Sequence, residues 1–178
     1  TLIVEYGDGK VMEIPINGES IGVEDMPYCE GFQDHGNWTY ATPAGWSSNG
    51  APYTEGWSAN SGGRAVALRW SDESILNMPP VKVTGTMPVL QFYEGSLQFS
   101  DPADDTGVRQ VHISTDNLNW TVISDPEVTS IPETYFVANP FAKRIVDLSD
   151  YIGETVYLRF YYIEPSGSDN YWFIDDVC

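Results

Sequence analysis

The chain has 178 residues, one domain's worth on the usual scale of about 100–200 residues per domain. Its 42% hydrophobic and 13% aromatic content is too high for a generally disordered chain. Eight Lys and Arg against 26 Asp and Glu leave a net charge of −18, a field that repels nucleic-acid phosphates and anionic membrane surfaces.

The first signals are of period two. Leu2-Ile3-Val4-Glu5-Tyr6, the turn Gly7-Asp8-Gly9-Lys10, and Val11 to Ile16 predict a β-hairpin, with glycines supplying the positive φ that the turn needs. Asn17 to Met26 is polar and acidic and predicts a linker, so the chain divides into a hairpin and linker at 1–22 and a main domain at 23–178. Tyr28–Phe32 predicts the first strand of that domain, followed by a long stretch of Gly, Pro, Ser, Asn and aromatics up to Ser61. Arg64–Trp70 predicts a strand with Ala65, Ala67 and Arg69 on one face and Val66, Leu68 and Trp70 on the other. Further strands are expected at Val89–Tyr93, Ser96–Phe99, Val108–Ser114, Trp120–Ser124, Phe141–Asp147, Thr155–Ile163 and Tyr171–Val177. Thr155–Ile163 is the strongest of them, dense in β-branched and aromatic residues. No helical period separates these segments. The fold class is all-β, with antiparallel sheets packed face to face as a sandwich.

Two cysteines frame the main domain: Cys29 lies at its start and Cys178 closes its last strand. If the terminal strands are neighbours, a disulfide closes a loop of about 150 residues and places the protein in an oxidising compartment. Otherwise the two are buried free thiols. No run approaches 18 uncharged apolar residues, so no membrane insertion is expected. There is also no basic segment leading into an apolar one, so any signal peptide lies outside this sequence.

In order along the chain, Cys29-Glu30-Gly31-Phe32, Pro43-Ala44-Gly45-Trp46, Val111–Asp116 leading to Trp120, and Val146–Gly153 followed by Val156–Phe160 and Phe173-Ile174-Asp175-Asp176-Val177 resemble one group. They are similar to the cleaved-adhesin and choice-of-anchor domains of secreted Bacteroidetes proteins, which are jelly-roll sandwiches related to MAM domains. The family's Pro-ended segment after the second strand is reduced here to Ser74–Pro79, which leaves the register of the middle strands open. The resemblance implies a Ca²⁺ where the first and last strands meet, at Glu30 and the pair Asp175-Asp176, with Asn60 or Asp34 adding oxygen ligands. The surplus of carboxylates agrees with a hard cation that prefers oxygen. Alternation along a strand would turn one of Asp175 and Asp176 toward the ion and the other away. The bland reading is a set of solvated acids at a sheet edge. The acidic loops Asp101–Asp105 and Ser168–Asn170 are read as solvated turns.

Trp38, Tyr40, Trp46, Tyr53 and Trp57 fall within turn-forming sequence. Trp38, Tyr53 and Trp57 are candidate ligand contacts, because exposed rings stack on sugar C–H faces while neighbouring Asn, Asp and Glu take hydroxyls. Trp46 matches a family position and is read as structural, and plugging a sandwich edge would explain the others too. Ser114–Trp120 is explained by a hairpin turn with Asn and Asp at its corner. Asn37-Trp38-Thr39 and Asn119-Trp120-Thr121 are sequons in form only.

Catalysis finds little support. His35 and His112 are the two histidines, and neither lies in a helix-borne metal motif or near a nucleophile elbow. The expectation is a secreted or cell-surface, non-catalytic module that is Ca²⁺-stabilised and recognises a glycan or partner protein within a larger surface protein. The alternatives are a purely structural accessory domain and, least favoured, a polysaccharide hydrolase.

Overall fold

The computed structural model describes residues 2–6, 10–14, 22–34, 42–49, 53–55, 59–69, 73–97, 107–124, 141–163 and 171–178. Strands β1 (Leu2–Tyr6) and β2 (Lys10–Ile14) pair antiparallel as a two-stranded sheet of their own. The remaining strands form two larger sheets, and among the described residues no helix is long and apolar enough to cross a membrane.

The first large sheet runs β11 (Thr121–Val122), β10 (Val108–Ser114), β13 (Thr155–Ile163), β7 (Ser74–Asn77), β4 (Ser47–Asn49). β8 (Val81–Lys82) continues along the same edge of β13 after the Pro79-Pro80 break, and β3 (Glu24–Asp25) lies parallel to β8. Proline cannot donate to the ladder, so one edge of β13 is served by two short strands rather than one long one. The second sheet runs β12 (Ala142–Asp147), β9 (Val89–Leu97), β14 (Tyr171–Asp175), β6 (Ala65–Leu68), β5 (Tyr53–Glu55). The last two strands, β13 and β14, take central places in opposite sheets, so strands remote in sequence become neighbours, as in a jelly roll.

Alternation along β13 shows how the sequence builds the sandwich. Val156, Leu158, Phe160 and Tyr162 are buried, while Tyr157, Arg159 and Tyr161 are half-buried on the outward face. Inside, Phe160 meets Phe92 edge-on at 5.0 Å and Trp172 at 5.9 Å, contacts worth about 0.5–1.5 kcal/mol each beyond their area.

Two expectations are corrected. Tyr28–Phe32 is no strand: it holds a single bridge, Glu30 to Val177, because Phe32 turns to φ 55° and drops its ring into the core. Val89–Tyr93 and the first residues of the second expected strand, Ser96 and Leu97, join in one strand, β9, which carries Gly95 within it. A Cβ there would meet the Phe141 ring at 3.3 Å, so the glycine marks a close approach rather than a break. β6 faces as expected, with Val66 and Leu68 in the main core and Ala65 and Ala67 in a second cluster with Tyr171 and Phe173, so that both its faces are buried. Ser74–Asn77, the weak segment, is a full partner of β13.

Candidate functional site

The two ends of the sandwich are clasped together. Cys29 and Cys178 form a disulfide with Cα atoms 4.2 Å apart. Beside it, Glu30 and Val177 exchange both backbone hydrogen bonds, and Cys178 exchanges both with Gln91 of β9. Cys178 is therefore held between the chain entry and the second sheet.

The predicted acidic residues meet the Asn60–Gly63 turn here. Asp175 is buried; its Oδ2 accepts from the backbone N–H of Asn60 at 2.7 Å and of Ser61 at 3.1 Å, and its Oδ1 accepts from the N–H of Asp176. Asp176 accepts from the Asn60 amide at 2.7 Å and the Ser61 hydroxyl at 2.8 Å. The expected alternation fails because the strand ends at Asp175 and Asp176 takes φ 45°, so both carboxylates serve the same turn. The turn needs its glycine: Gly62 has φ +52°, and a Cβ on it would overlap the Gln33 side chain, which donates to the Ser61 carbonyl. Glu30 bends back to accept the Phe32 N–H at 2.6 Å. Asp34 is exposed and makes no hydrogen bond to the cluster among the described residues.

Burial, with Asp176 alongside, pushes the Asp175 carboxyl up to about 6, although three backbone N–H groups pull the other way. Charge here is costly as it stands, and a cation would relieve it. Among the described residues no three of His, Cys, Asp and Glu converge, so an ion at this point would draw its remaining ligands from amide, hydroxyl and carbonyl oxygens. Asn60 and Ser61 bind Asp176 through rotatable groups that carry such oxygens. An oxygen-only set of this kind fits Ca²⁺ and does not fit zinc or copper.

Sequence reasoning missed a second site, on the outward face of the β10–β13 sheet. Arg159 stands opposite His112 on one side and Asn77 on the other. Its guanidinium lies 4.1 Å over the Trp120 ring and its Nε donates to His112 Nδ1 at 3.1 Å. That bond makes Nδ1 the acceptor and leaves the proton on Nε2, which lies 2.9 Å from the Gln110 Oε1 acceptor. The imidazole stacks on Tyr161 at 4.7 Å, and the Tyr161 hydroxyl donates to Glu73. Burial, and then the charge of Arg159, hold His112 down to about 4, so it is neutral at ordinary pH. The opposite charge of Glu73 favours the charged form of Arg159 against the cost of its burial.

Next to this array a cleft of about 390 Å³ opens, lined by Ser47, Asn77, Asn117, Trp120 and Tyr157. Asn77 donates to the Ser47 hydroxyl at 3.2 Å. Asn117 is set by the Asp116 turn, whose carboxylate accepts from the N–H groups of Leu118 and Asn119. These bonds hold Asp116 far below the usual carboxylate range. A cleft of about 420 Å³ beside the disulfide has apolar walls, including Met26, Met78, Leu90 and Leu148, and few groups to orient a ligand.

Of the loop aromatics, Trp38 and Trp57 lie outside the described residues, as does His35, and Tyr53 is described as a backbone position of β5 opposite Ala67. Trp46 is buried, edge-on to Phe32 at 5.4 Å, with its Nε1 donating to the Tyr28 hydroxyl.

No family model matches the sequence, and no curated protein does. Solved structures match well in shape. The K2 cleaved adhesin domain of Lys-gingipain superposes with a TM-score of 0.54 at 19% identity, covering 84% of this chain and 96% of that one. The K1 cleaved adhesin domain from Porphyromonas gingivalis W83 gives 0.54 at 16% identity, covering 84% and 95%. The chain has the cleaved-adhesin fold. TmCBM61, solved in complex with beta-1,4-galactotriose, gives 0.53 at 14% identity, covering 83% and 91%. The cleaved-adhesin fold is thus a β-sandwich shared with a carbohydrate-binding module, and at these identities the likeness is one of fold.

Proposed function

We propose that this domain is a secreted or cell-surface, non-catalytic module that recognises a carbohydrate and is held together at its termini by Ca²⁺. The observation carrying the reading is the outward sheet face on which Trp120 and Tyr157 flank a cleft with Asn77, Asn117 and Ser47. Rings stack on sugar faces and amides take hydroxyls, a composition that suits recognition and supplies no nucleophile–base pair. His112 is engaged by Arg159 and Gln110 and held neutral, and the Asp116 carboxylate is taken up by its own turn. Similarity of fold to the cleaved adhesin domains and to TmCBM61 supports the same reading and a place within a larger surface protein. In the clasp, Asp176, Asn60 and Ser61 would hold the ion, with Glu30 and Asp175 orienting the two chain segments around it. The ion would remove carboxylate repulsion and tie the turn to both termini.

A glycan array probed with the Ca²⁺-loaded protein, and again after EDTA, tests both parts. Binding of at least one glycan class is expected, with a lower melting temperature after EDTA. No binding to any glycan would refute recognition of carbohydrate, and a melt unchanged by Ca²⁺ or EDTA would refute the ion.

A further inference from the structure

The charge arrangement of the β10–β13 face says what kind of sugar it takes. Among the described residues Arg159 and Lys82 are the cations of this face. Arg159 lies over Trp120 and Tyr161, donates its Nε to His112 and feels the opposing charge of Glu73. Lys82, opposite Thr155, donates to the Gly153 carbonyl, and Glu73 and Asp116 balance the two charges. His112 carries no charge at ordinary pH. Asp116, adjoining Asn117 at the rim, is ionised and held by its own turn. The cleft thus offers an anionic ligand no net positive charge, inside a chain of net charge −18. A carboxylated or sulfated glycan meets repulsion from the rim and from the molecule as a whole. The polar and aromatic side chains lining the cleft, beside Gly45, Met78 and Pro80, are those of Ser47, Asn77, Asn117, Trp120 and Tyr157, an uncharged set that serves a neutral ring of hydroxyls and C–H groups.

Resting on the carbohydrate-binding reading, we infer that the cleft lined by Ser47, Asn77, Asn117, Trp120 and Tyr157 is the subsite for a neutral, uncharged polysaccharide, with Trp120 as its stacking platform. Arg159 locks the Trp120 ring in place, so the platform is formed before the ligand arrives.

The test is calorimetric titration of the whole Ca²⁺-loaded chain. The neutral probes are β-1,4-galactan, xylan and mixed-linkage glucan, and the acidic probes are polygalacturonate and chondroitin sulfate. Trp120→Ala and, separately, Asn117→Gly, which keeps the left-handed φ of 58° without strain, serve as variants, with melting curves recorded for each. The expected result is binding of a neutral polysaccharide that 0.5 M NaCl leaves within about twofold. Each variant should weaken it at least tenfold without shifting the melt. Binding confined to the acidic probes, weakening with salt, overturns the inference and leaves carbohydrate recognition standing. Neutral binding that both variants retain overturns the subsite alone. Absence of binding to every probe overturns the inference and the functional reading together.

Discussion

Glu30 and Val177 pair backbone to backbone in both directions, at 2.8 and 2.9 Å, one residue away from the Cys29–Cys178 disulfide. The covalent link therefore joins two segments that are already neighbours in the ladder. Its cross-linked loop spans a sequence separation of 149 residues. In the chain-entropy model such a loop contributes about 5 kcal/mol by restricting the unfolded chain. Replacing both cysteines by serine should lower stability by about 3–5 kcal/mol in urea while leaving the far-ultraviolet spectrum of the native state unchanged. A loss below 1 kcal/mol would mean that the bridge and its neighbours hold the termini by themselves.

Asp175 gives the clasp an unusual dependence on pH. Its folded carboxyl titrates near 6 instead of 3.8, so the folded state holds its proton more tightly than the unfolded chain does. Stability from this group is present below the unfolded value and is lost as pH rises through the folded one, by at most about 3 kcal/mol. Without Ca²⁺ the protein should therefore be stabilised by acidification from pH 7.5 to 5 relative to an Asp175→Asn variant. Saturating Ca²⁺ should abolish that difference. Thermal melts of both proteins across this range, with and without Ca²⁺, provide the check, and parallel curves in the absence of Ca²⁺ would contradict it.

The sequence displays its strands where alternation and β-branched or aromatic residues coincide, and β10 and β13 match their expected ranges residue for residue. It conceals strands whose partner supplies the reason for extension: Ser74–Asn77 is ordinary by composition and becomes a strand because β13 lies beside it. Glycine misleads at Gly95, where it makes room for Phe141 and interrupts nothing. The clasp was legible because its members sit at the two ends of the motif pattern. The sheet-face site was half legible: Tyr157, Arg159 and Tyr161 occupy the outward positions of a strand read correctly. Asn77, Ser47 and Asn117 reach them from far along the chain, through strand order that no local pattern encodes.

Inside the sandwich, Glu94 is fully buried and accepts from Trp172 Nε1 at 2.8 Å and from Arg144 Nε. Burial raises its carboxyl above the usual range, and the bonds to Arg144 and Trp172 oppose that rise. Removing the carboxylate leaves the indole N–H and the Arg144 side chain without their acceptor. Glu94→Ala should cost about 3–5 kcal/mol. Glu94→Gln retains one acceptor for Trp172 and should cost clearly less. Urea unfolding of the two variants decides the matter; equal losses would show that the carboxylate charge facing Arg144, and not side-chain volume or a neutral acceptor for Trp172, is what Glu94 provides.

His112 completes the argument at the sheet face. Burial and the Arg159 charge place its folded titration near 4, below the ordinary 6.5. Between these values the unfolded chain takes up a proton that the folded one refuses, so stability from His112 is present above pH 6.5 and falls as pH drops toward 4. Its sign is opposite to that of Asp175, which is why single variants are needed to separate the two. Proton NMR of the imidazole should show a midpoint near 4, and Arg159→Met should raise it by removing the neighbouring cation. A wild-type midpoint above 6 would mean that the ring is solvated and charged in mildly acid solution. The stack of His112 on Tyr161 and the bond from Arg159 Nε could not then both persist, because an imidazolium has no lone pair to accept that bond.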